Sequence, residues 1–216
     1  MAIFVKTPGR SPIKTRLARS LGERIAESIY RDCLACVRAA VDASGLPRVW
    51  AVAEPEAADR APWEDAPCQP QPGGNLGERM AGVFRALRAR APGVLLIGGD
   101  LPQLDPADLR VASDWLAAPD RHVIGPAADG GFWLYGSSAD DPTVHWPTLP
   151  YSRADTADHF RAAIGGPAQA WLELPTRTDL DRSADLAAVR RELDALGAPS
   201  SAQRRFRDRL QGIIGE

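Results

Sequence analysis

Val94-Leu95-Leu96-Ile97-Gly98-Gly99-Asp100-Leu101-Pro102-Gln103-Leu104, with its continuation His122-Val123-Ile124-Gly125-Pro126-Ala127-Ala128-Asp129-Gly130-Gly131-Phe132-Trp133-Leu134-Tyr135-Gly136, sets the fold class of this chain. The run from Val94 to Ile97 has no polar side, as expected of a strand buried on both faces in an α/β sheet. It stops at two glycines, and Asp100 follows at once. Ligands of open α/β sheets bind beyond the carboxyl ends of strands. A carboxylate at that place suits a hard cation such as Mg²⁺, which takes oxygen ligands and bridges to phosphates. An Asp between glycines and Leu-Pro equally suits a plain turn. The same two readings hold for Asp129, because Gly130 and Gly131 allow either close approach by a ligand or a tight hairpin turn.

Outward from this stretch, strand and helix patterns alternate. Toward the N-terminus, Ala2 to Val5 reads as a first strand. A loop with Lys6, Gly9, Arg10, Lys14 and Arg16 follows. Then Ile29, Cys33, Val37 and Ala40 recur at helical spacing, which predicts a helix from Gly22 to Ser44. Strand, basic loop and helix in that order form a plausible anion cradle, although the spacing of a P-loop is absent. A merely solvated basic loop is the plainer alternative. Arg48 to Ala53 reads as a second strand, Glu54 to Gly74 as an irregular connection of about twenty residues, and Asn75 as the start of a helix with Leu76, Met80, Val83 and Leu87 on its apolar side. Beyond the central strand, Asp105 and Pro106 look like an N-cap and first helical position. Strands are predicted at His122 to Gly125, Phe132 to Tyr135 and Ala170 to Leu174. Helices are predicted at Ser152 to Ile164, around Leu186 to Leu196, and at Ala202 to Ile214. The alternation argues for one α/β domain with a mainly parallel sheet.

Composition narrows the function classes. The 216 residues suffice for one full domain, and the net charge of −2 offers no basic field for nucleic acid. No apolar run approaches the ~20 residues that a membrane helix needs, and the start of the chain does not read as a signal peptide. Three cysteines form a sparse, odd set, which leads us to expect a reduced, cytoplasmic protein. Cys33 and Cys36 fall on the apolar face of the long helix and read as core residues. Among 26 basic residues only Lys6 and Lys14 are lysines, and at those two places a compact ammonium rather than a planar fork would be used.

Several motifs occur in a fixed order: Lys6, Lys14-Thr15-Arg16-Leu17-Ala18, Leu76-Gly77-Glu78-Arg79-Met80, Gly99-Asp100-Leu101-Pro102, Gly125-Pro126-Ala127 with Asp129-Gly130-Gly131-Phe132, and Asp179-Leu180-Asp181 with Asp185-Leu186. This series resembles the small bacterial GT-A-type transferases of the radical-SAM/selenodomain-associated transferase 1 family, within the nucleotide-diphospho-sugar transferase superfamily. The likeness runs from about residue 3 to about residue 190. More loosely, the pattern is similar to the guanylyltransferases that make molybdenum and deazaflavin cofactors. Ser11 stands where the family usually has Gly, Asn75 where Asp is common, and Leu101 where a small Ser is usual.

The resemblance implies a single GT-A-like, Rossmann-like α/β domain over residues 1–198. Its mixed sheet would be mainly parallel with helices on both faces, and residues 199–216 would form a C-terminal helix packed on it. It implies a metal-dependent transferase using a nucleotide-activated donor, a nucleotide-sugar, and a small-molecule acceptor. A nucleotidylyltransferase releasing pyrophosphate and a non-catalytic nucleotide-binding protein are the alternatives. Catalytic roles would fall to Asp100, Asp129 and Lys14. Asp100 would hold Mg²⁺ or Mn²⁺, with Asp181 or Asp179 completing the site. Lys14 and Arg16 would meet phosphate oxygens, and Lys6, Asn75, Arg79, Gly130 and Gly131 would contact substrate. Asp129 would face the acceptor as a base, or serve only its turn.

Overall fold

A computed structural model describes residues 1–58 and 60–215. Strands β1 (Ala2–Val5), β2 (Val49–Val52), β3 (Cys68–Pro70), β4 (Val94–Gly98), β5 (His122–Pro126), β6 (Phe132–Ser137) and β7 (Trp171–Glu173) form one sheet. Its order is β3-β2-β1-β4-β6-β5-β7. β6 alone runs antiparallel, to β4 on one side and β5 on the other; the remaining pairings are parallel. This is the mainly parallel sheet that the alternation of patterns predicts, with the mixed character that the family resemblance implies.

The all-apolar central strand has the expected cause. Leu95 and Ile97 enter a core on one face of the sheet, with Ile3, Val5, Trp50 and Val52. Val94 and Leu96 enter the core on the other face, with Ala2 and Ala51. Side chains alternate across a strand, so burial on both faces removes the polar half of the pattern. Helices α2 (Glu23–Ser44) and α4 (Pro106–Trp115) cover the first face. α3 (Leu76–Arg88) and α5 (Thr156–Ile164) cover the second, around Phe84, Trp146 and Phe160. A third cluster joins α1 (Thr15–Leu21) and α2 to α6 (Leu186–Asp194) and α7 (Ser201–Ile214) through Leu17, Cys33, Val189 and Phe206.

Four details depart from the sequence reading. The basic loop is shorter than expected, because α1 begins at Thr15. Its N-cap, Lys14, has a left-handed backbone with φ 47°, a conformation that non-glycine residues adopt sparingly. The connection from Glu54 to Gly74 carries a three-residue helical turn and the edge strand β3. Leu76 is 49% exposed rather than on the buried side of α3. α5 starts at Thr156, four residues later than the pattern suggests. Cys33 and Cys36 are buried free thiols, as expected. No helix among the described residues is long and apolar enough to cross a membrane.

Candidate active site

The carboxyl ends of β1, β2, β3, β4, β5 and β7 share one edge of the sheet with the start of β6, and the cleft lies there. Its larger compartment, about 740 Å³, is lined by Lys6, Lys14, Arg16, Gln71, Arg79, Asp100 and Asp181. A smaller, mainly apolar compartment of about 250 Å³ is lined by Phe132, Trp133, Tyr151, Arg153, Asp129 and Asp179. Phe4, Leu76 and Gly98 line both. The exposure of Leu76 follows from that position: its side chain forms part of the cleft wall.

Lys14 is the hub of the polar compartment. Its Nζ donates to Asp100 Oδ2 at 2.8 Å and also to the Leu180 carbonyl oxygen. The ammonium is 5% exposed and the Asp100 carboxylate 39%. Burial works against the charge on Lys14, but the Asp100 carboxylate outweighs it and holds the lysine pKa above its ordinary value. Leu180 N donates to Asp100 O at 3.4 Å, so the segments carrying Asp100 and Asp181 meet directly. Arg16 Nη1 donates to Asp181 Oδ2 at 2.7 Å. Gly98 permits this arrangement, since a Cβ there would lie 2.7 Å from Asp100 Oδ1.

Residues remote in sequence brace the basic loop. Glu54 Oε2 accepts from Thr7 N at 2.8 Å, and Ser11 Oγ donates to Glu54 Oε1. Desolvation opposes ionisation of Glu54, but the bonds from Ser11 and Thr7 prevail and lower its pKa. Tyr30 Oη accepts from Lys6 N and donates to Lys6 O, both at 2.9 Å. Sequence reasoning missed Glu54, Tyr30 and Gln71 because their partners are tens of positions away. The one available signal was the presence of Glu54 at the end of a predicted strand.

The remaining expected site residues separate into two groups. Lys6 and Arg79 line the polar compartment, with Lys6 Nζ on Pro12 O at 3.3 Å and Arg79 Nε on Gly74 O at 2.9 Å. Asn75 lines neither compartment. Its Oδ1 accepts from Glu78 N and its Nδ2 donates to Pro147 O, so it caps α3 and ties it to the segment between β6 and α5. Asp129 accepts from Gly131 N at 2.9 Å, which makes a turn. Its turn also explains Gly130, whose φ is +88° and whose absent Cβ would sit 2.0 Å from Ala154 O. Gly131 lines the apolar compartment. Asp179 and Asp181 do not face one way, as an extended strand would make them. β7 ends at Glu173, and the chain then wraps so that Asp179 lines the apolar compartment and Asp181 the polar one. Gln103 holds this segment, with Nε2 on Thr178 O at 2.7 Å.

The donor set fits a hard cation. Asp100 and Asp181 line the polar compartment, and Asp129 and Asp179 the apolar one. Desolvation first, then the charges of Asp100 and Asp129, push the Asp179 pKa well above the carboxylate range, with Lys14 opposing. Nearby positive charge would relieve that repulsion. Among the described residues no three acidic, histidine or cysteine side chains already form a metal cage. Mg²⁺ is commonly held by one or two carboxylates plus substrate phosphates.

Residues 36–153 match the family described as "Uncharacterized protein conserved in bacteria (DUF2064)". No curated protein matches the chain. Among solved structures, a candidate nucleotide-diphospho-sugar transferase from Desulfovibrio desulfuricans G20 is 24% identical, with a TM-score of 0.78 over 97% of this chain and 94% of that one. Its likeness shows the shared fold. CMP:2-keto-3-deoxy-manno-octonic acid synthetase complexed with CTP is 15% identical over 89% of this chain and 97% of that one, with a TM-score of 0.49. Rv0371c of Mycobacterium tuberculosis H37Rv is 19% identical over 87% and 95%, with a TM-score of 0.48. These two are too distant to inform function. The family match covers more than half of the sequence, and the chain belongs to the DUF2064 family of bacterial proteins.

Proposed function

We propose that this chain is a metal-dependent transferase that takes a nucleotide-activated donor, a nucleotide-sugar, as its resemblance to the radical-SAM/selenodomain-associated transferase 1 group implies. The observation that carries this reading is the pair of ion pairs in the polar compartment, Lys14 with Asp100 and Arg16 with Asp181. A diphosphate with a divalent cation can exchange partners with them at no change in charge balance. Lys14 and Arg16 would turn to phosphate oxygens, and the released Asp100 and Asp181 would hold Mg²⁺ or Mn²⁺. The cation would supply Lewis-acid stabilisation of charge on the leaving diphosphate. Lys14 and Arg16 add fixed positive charge at the same place. The apolar compartment, walled by Phe132 and Trp133, would take the acceptor and exclude water, with Asp129 and Asp179 facing it.

Nucleotidyl transfer is the second reading. Lys6, Lys14, Arg16 and Arg79 all line the polar compartment, and that much positive charge also suits a nucleoside triphosphate. The released product separates the readings: a nucleoside diphosphate for glycosyl transfer, pyrophosphate for nucleotidyl transfer. Incubation with nucleotide-sugars or nucleoside triphosphates, Mn²⁺ and an acceptor mixture, followed by chromatography of the products, makes the test. Neither product from any donor would leave a binding protein.

A further inference from the structure

Glu192 lies on α6 and lines neither compartment of the cleft. Its carboxylate nevertheless grips the segment that carries Asp179 and Asp181. Oε1 accepts from Thr178 Oγ1 at 2.5 Å, and Oε2 accepts from Thr178 N at 3.2 Å and from Gln103 Nε2 at 2.8 Å. Gln103 Nε2 donates also to Thr178 O at 2.7 Å, so the N–H, the carbonyl and the hydroxyl of Thr178 are all taken. Gln103 is fully buried, and its Oε1 has no partner among the described residues. A buried acceptor is ordinarily paired, and leaving one unpaired is costly. The amide stays this way round because both of its contacts are acceptors, and turning it would set Oε1 against them. The buried amide thus forgoes one bond to keep the tie between Thr178 and Glu192.

Thr178 N belongs to one peptide plane and Thr178 O to the next, and each plane is rigid. Pinning both fixes the direction in which the chain leaves toward Asp179. Upstream, Arg177 N donates to Pro126 O at 3.1 Å and Arg177 O accepts from Ala128 N at 2.9 Å. Downstream, Leu180 N reaches Asp100 O at 3.4 Å, and Leu180 O takes Lys14 Nζ. Gln103 itself belongs to the segment that follows Asp100. The two segments that bring Asp100 and Asp181 into the polar compartment are therefore joined behind it through Gln103, Thr178 and Glu192.

We propose that Glu192 is a positioning residue for the cation site: by holding Thr178 and Gln103 it sets where Asp181 stands relative to Asp100, and so how tightly the two hold a divalent cation. The proposal rests on the metal-bound diphosphate reading above. Glu192 touches neither cation nor substrate and acts only through the segment it holds. Removing a residue that orients metal ligands from behind typically lowers metal affinity roughly 10- to 100-fold.

Calorimetric titration with Mn²⁺ and pyrophosphate, well below the melting temperature of each protein, tests this. The quantity read is the Mn²⁺ concentration that gives half of the full pyrophosphate binding. Glu192→Ala should raise it about tenfold, with pyrophosphate affinity at saturating Mn²⁺ unchanged because Lys14 and Arg16 are intact. Thr178→Val keeps the shape but loses the hydroxyl. It should shift the Mn²⁺ requirement the same way by less, and it carries the test if the first variant fails to fold. Glu192→Gln should stay near the wild type, because the Thr178 hydroxyl can accept from the new amide while Oε1 serves Thr178 N and Gln103. A lower melting temperature with an unchanged Mn²⁺ requirement in Glu192→Ala and Thr178→Val would overturn the proposal, showing that Glu192 only supports the fold. Loss of pyrophosphate affinity at saturating Mn²⁺ would overturn it too, since the damage would then reach Lys14 and Arg16. Pyrophosphate binding that is absent from the wild-type chain, or indifferent to Mn²⁺ there, would overturn the metal-bound diphosphate reading and this proposal with it.

Discussion

Lys14 shows how one side chain can link fold and chemistry. It is one of two lysines in the chain, it caps α1 in a left-handed conformation, and it joins Asp100 to Leu180. The partners differ in exposure, 5% for the lysine and 39% for the aspartate, and this predicts an asymmetry. Asp100→Ala strands a buried ammonium and should cost about 2 kcal/mol, below the full cost of breaking a buried pair because water reaches the carboxylate side. Lys14→Met removes the buried charge and leaves a carboxylate that water can solvate, so its cost should be under about 1 kcal/mol. Urea denaturation of the two variants checks the order; equal losses would mean that water screens the pair from both sides. Asp100→Asn keeps an oxygen acceptor for Lys14, so it should fold yet lose metal-dependent nucleotide binding. The place of Lys14 and Asp100 in the cleft was legible in the sequence, since one is a rare residue in a basic loop and the other follows an apolar strand. The turn role of Asp129 was legible only as one of two options, and the Asn75 cap only as the start of a helix.

At the scale of elements, the connection between β2 and α3 has a task that composition hid. Its Ala, Pro and acidic residues read as an irregular loop, but Glu54 latches the basic loop through Thr7 and Ser11, and Trp63 Nε1 donates to Thr7 Oγ1 at 2.9 Å. β3 escaped notice because a three-residue edge strand has too few side chains to show a period. α1 escaped because Pro12, Lys14 and Arg16 mask its start. The helices α2, α3 and α4 were legible because long amphipathic faces carry their own signal. Glu54 has a depressed pKa, so its contribution to stability is present above the unfolded carboxylate pKa and is lost as pH falls through the folded value. Glu54→Gln is therefore expected to cost about 2 kcal/mol at neutral pH. The difference from the wild type should shrink on acidification below about pH 4.5. Thermal melts of both proteins across pH 3 to 7 measure this. A constant gap over that range would show that the Glu54 charge does not hold the loop.

For the whole molecule, α7 is a structural part of the domain rather than an appendage. Phe206 and Leu210 are buried against α2 and α6, and Gln203 Nε2 donates to Pro102 O at 3.0 Å and Leu104 O at 2.9 Å, just behind Asp100. Full burial of two such side chains contributes about 5 kcal/mol, near the lower end of the net stability of a domain. A chain ending at Pro199 is expected to lose its cooperative thermal transition by calorimetry; a transition within a few degrees of the full chain would contradict this packing role. The α/β class and mainly parallel sheet were legible because alternation of apolar periods survives without long-range information. The division of the cleft into polar and apolar compartments was not, because it depends on how the segment after β7 wraps past Asp100. The central claim is that Lys14, Arg16, Asp100 and Asp181 together hold a metal-bound diphosphate. Titration calorimetry of nucleoside diphosphates against their bare nucleosides, with and without Mn²⁺, tests it most directly in wild-type, Asp100→Asn and Lys14→Ala proteins. The account predicts diphosphate binding that needs the metal, fails in both variants, and far exceeds nucleoside binding. Diphosphate affinity that is indifferent to Mn²⁺ and unchanged by either substitution would contradict it.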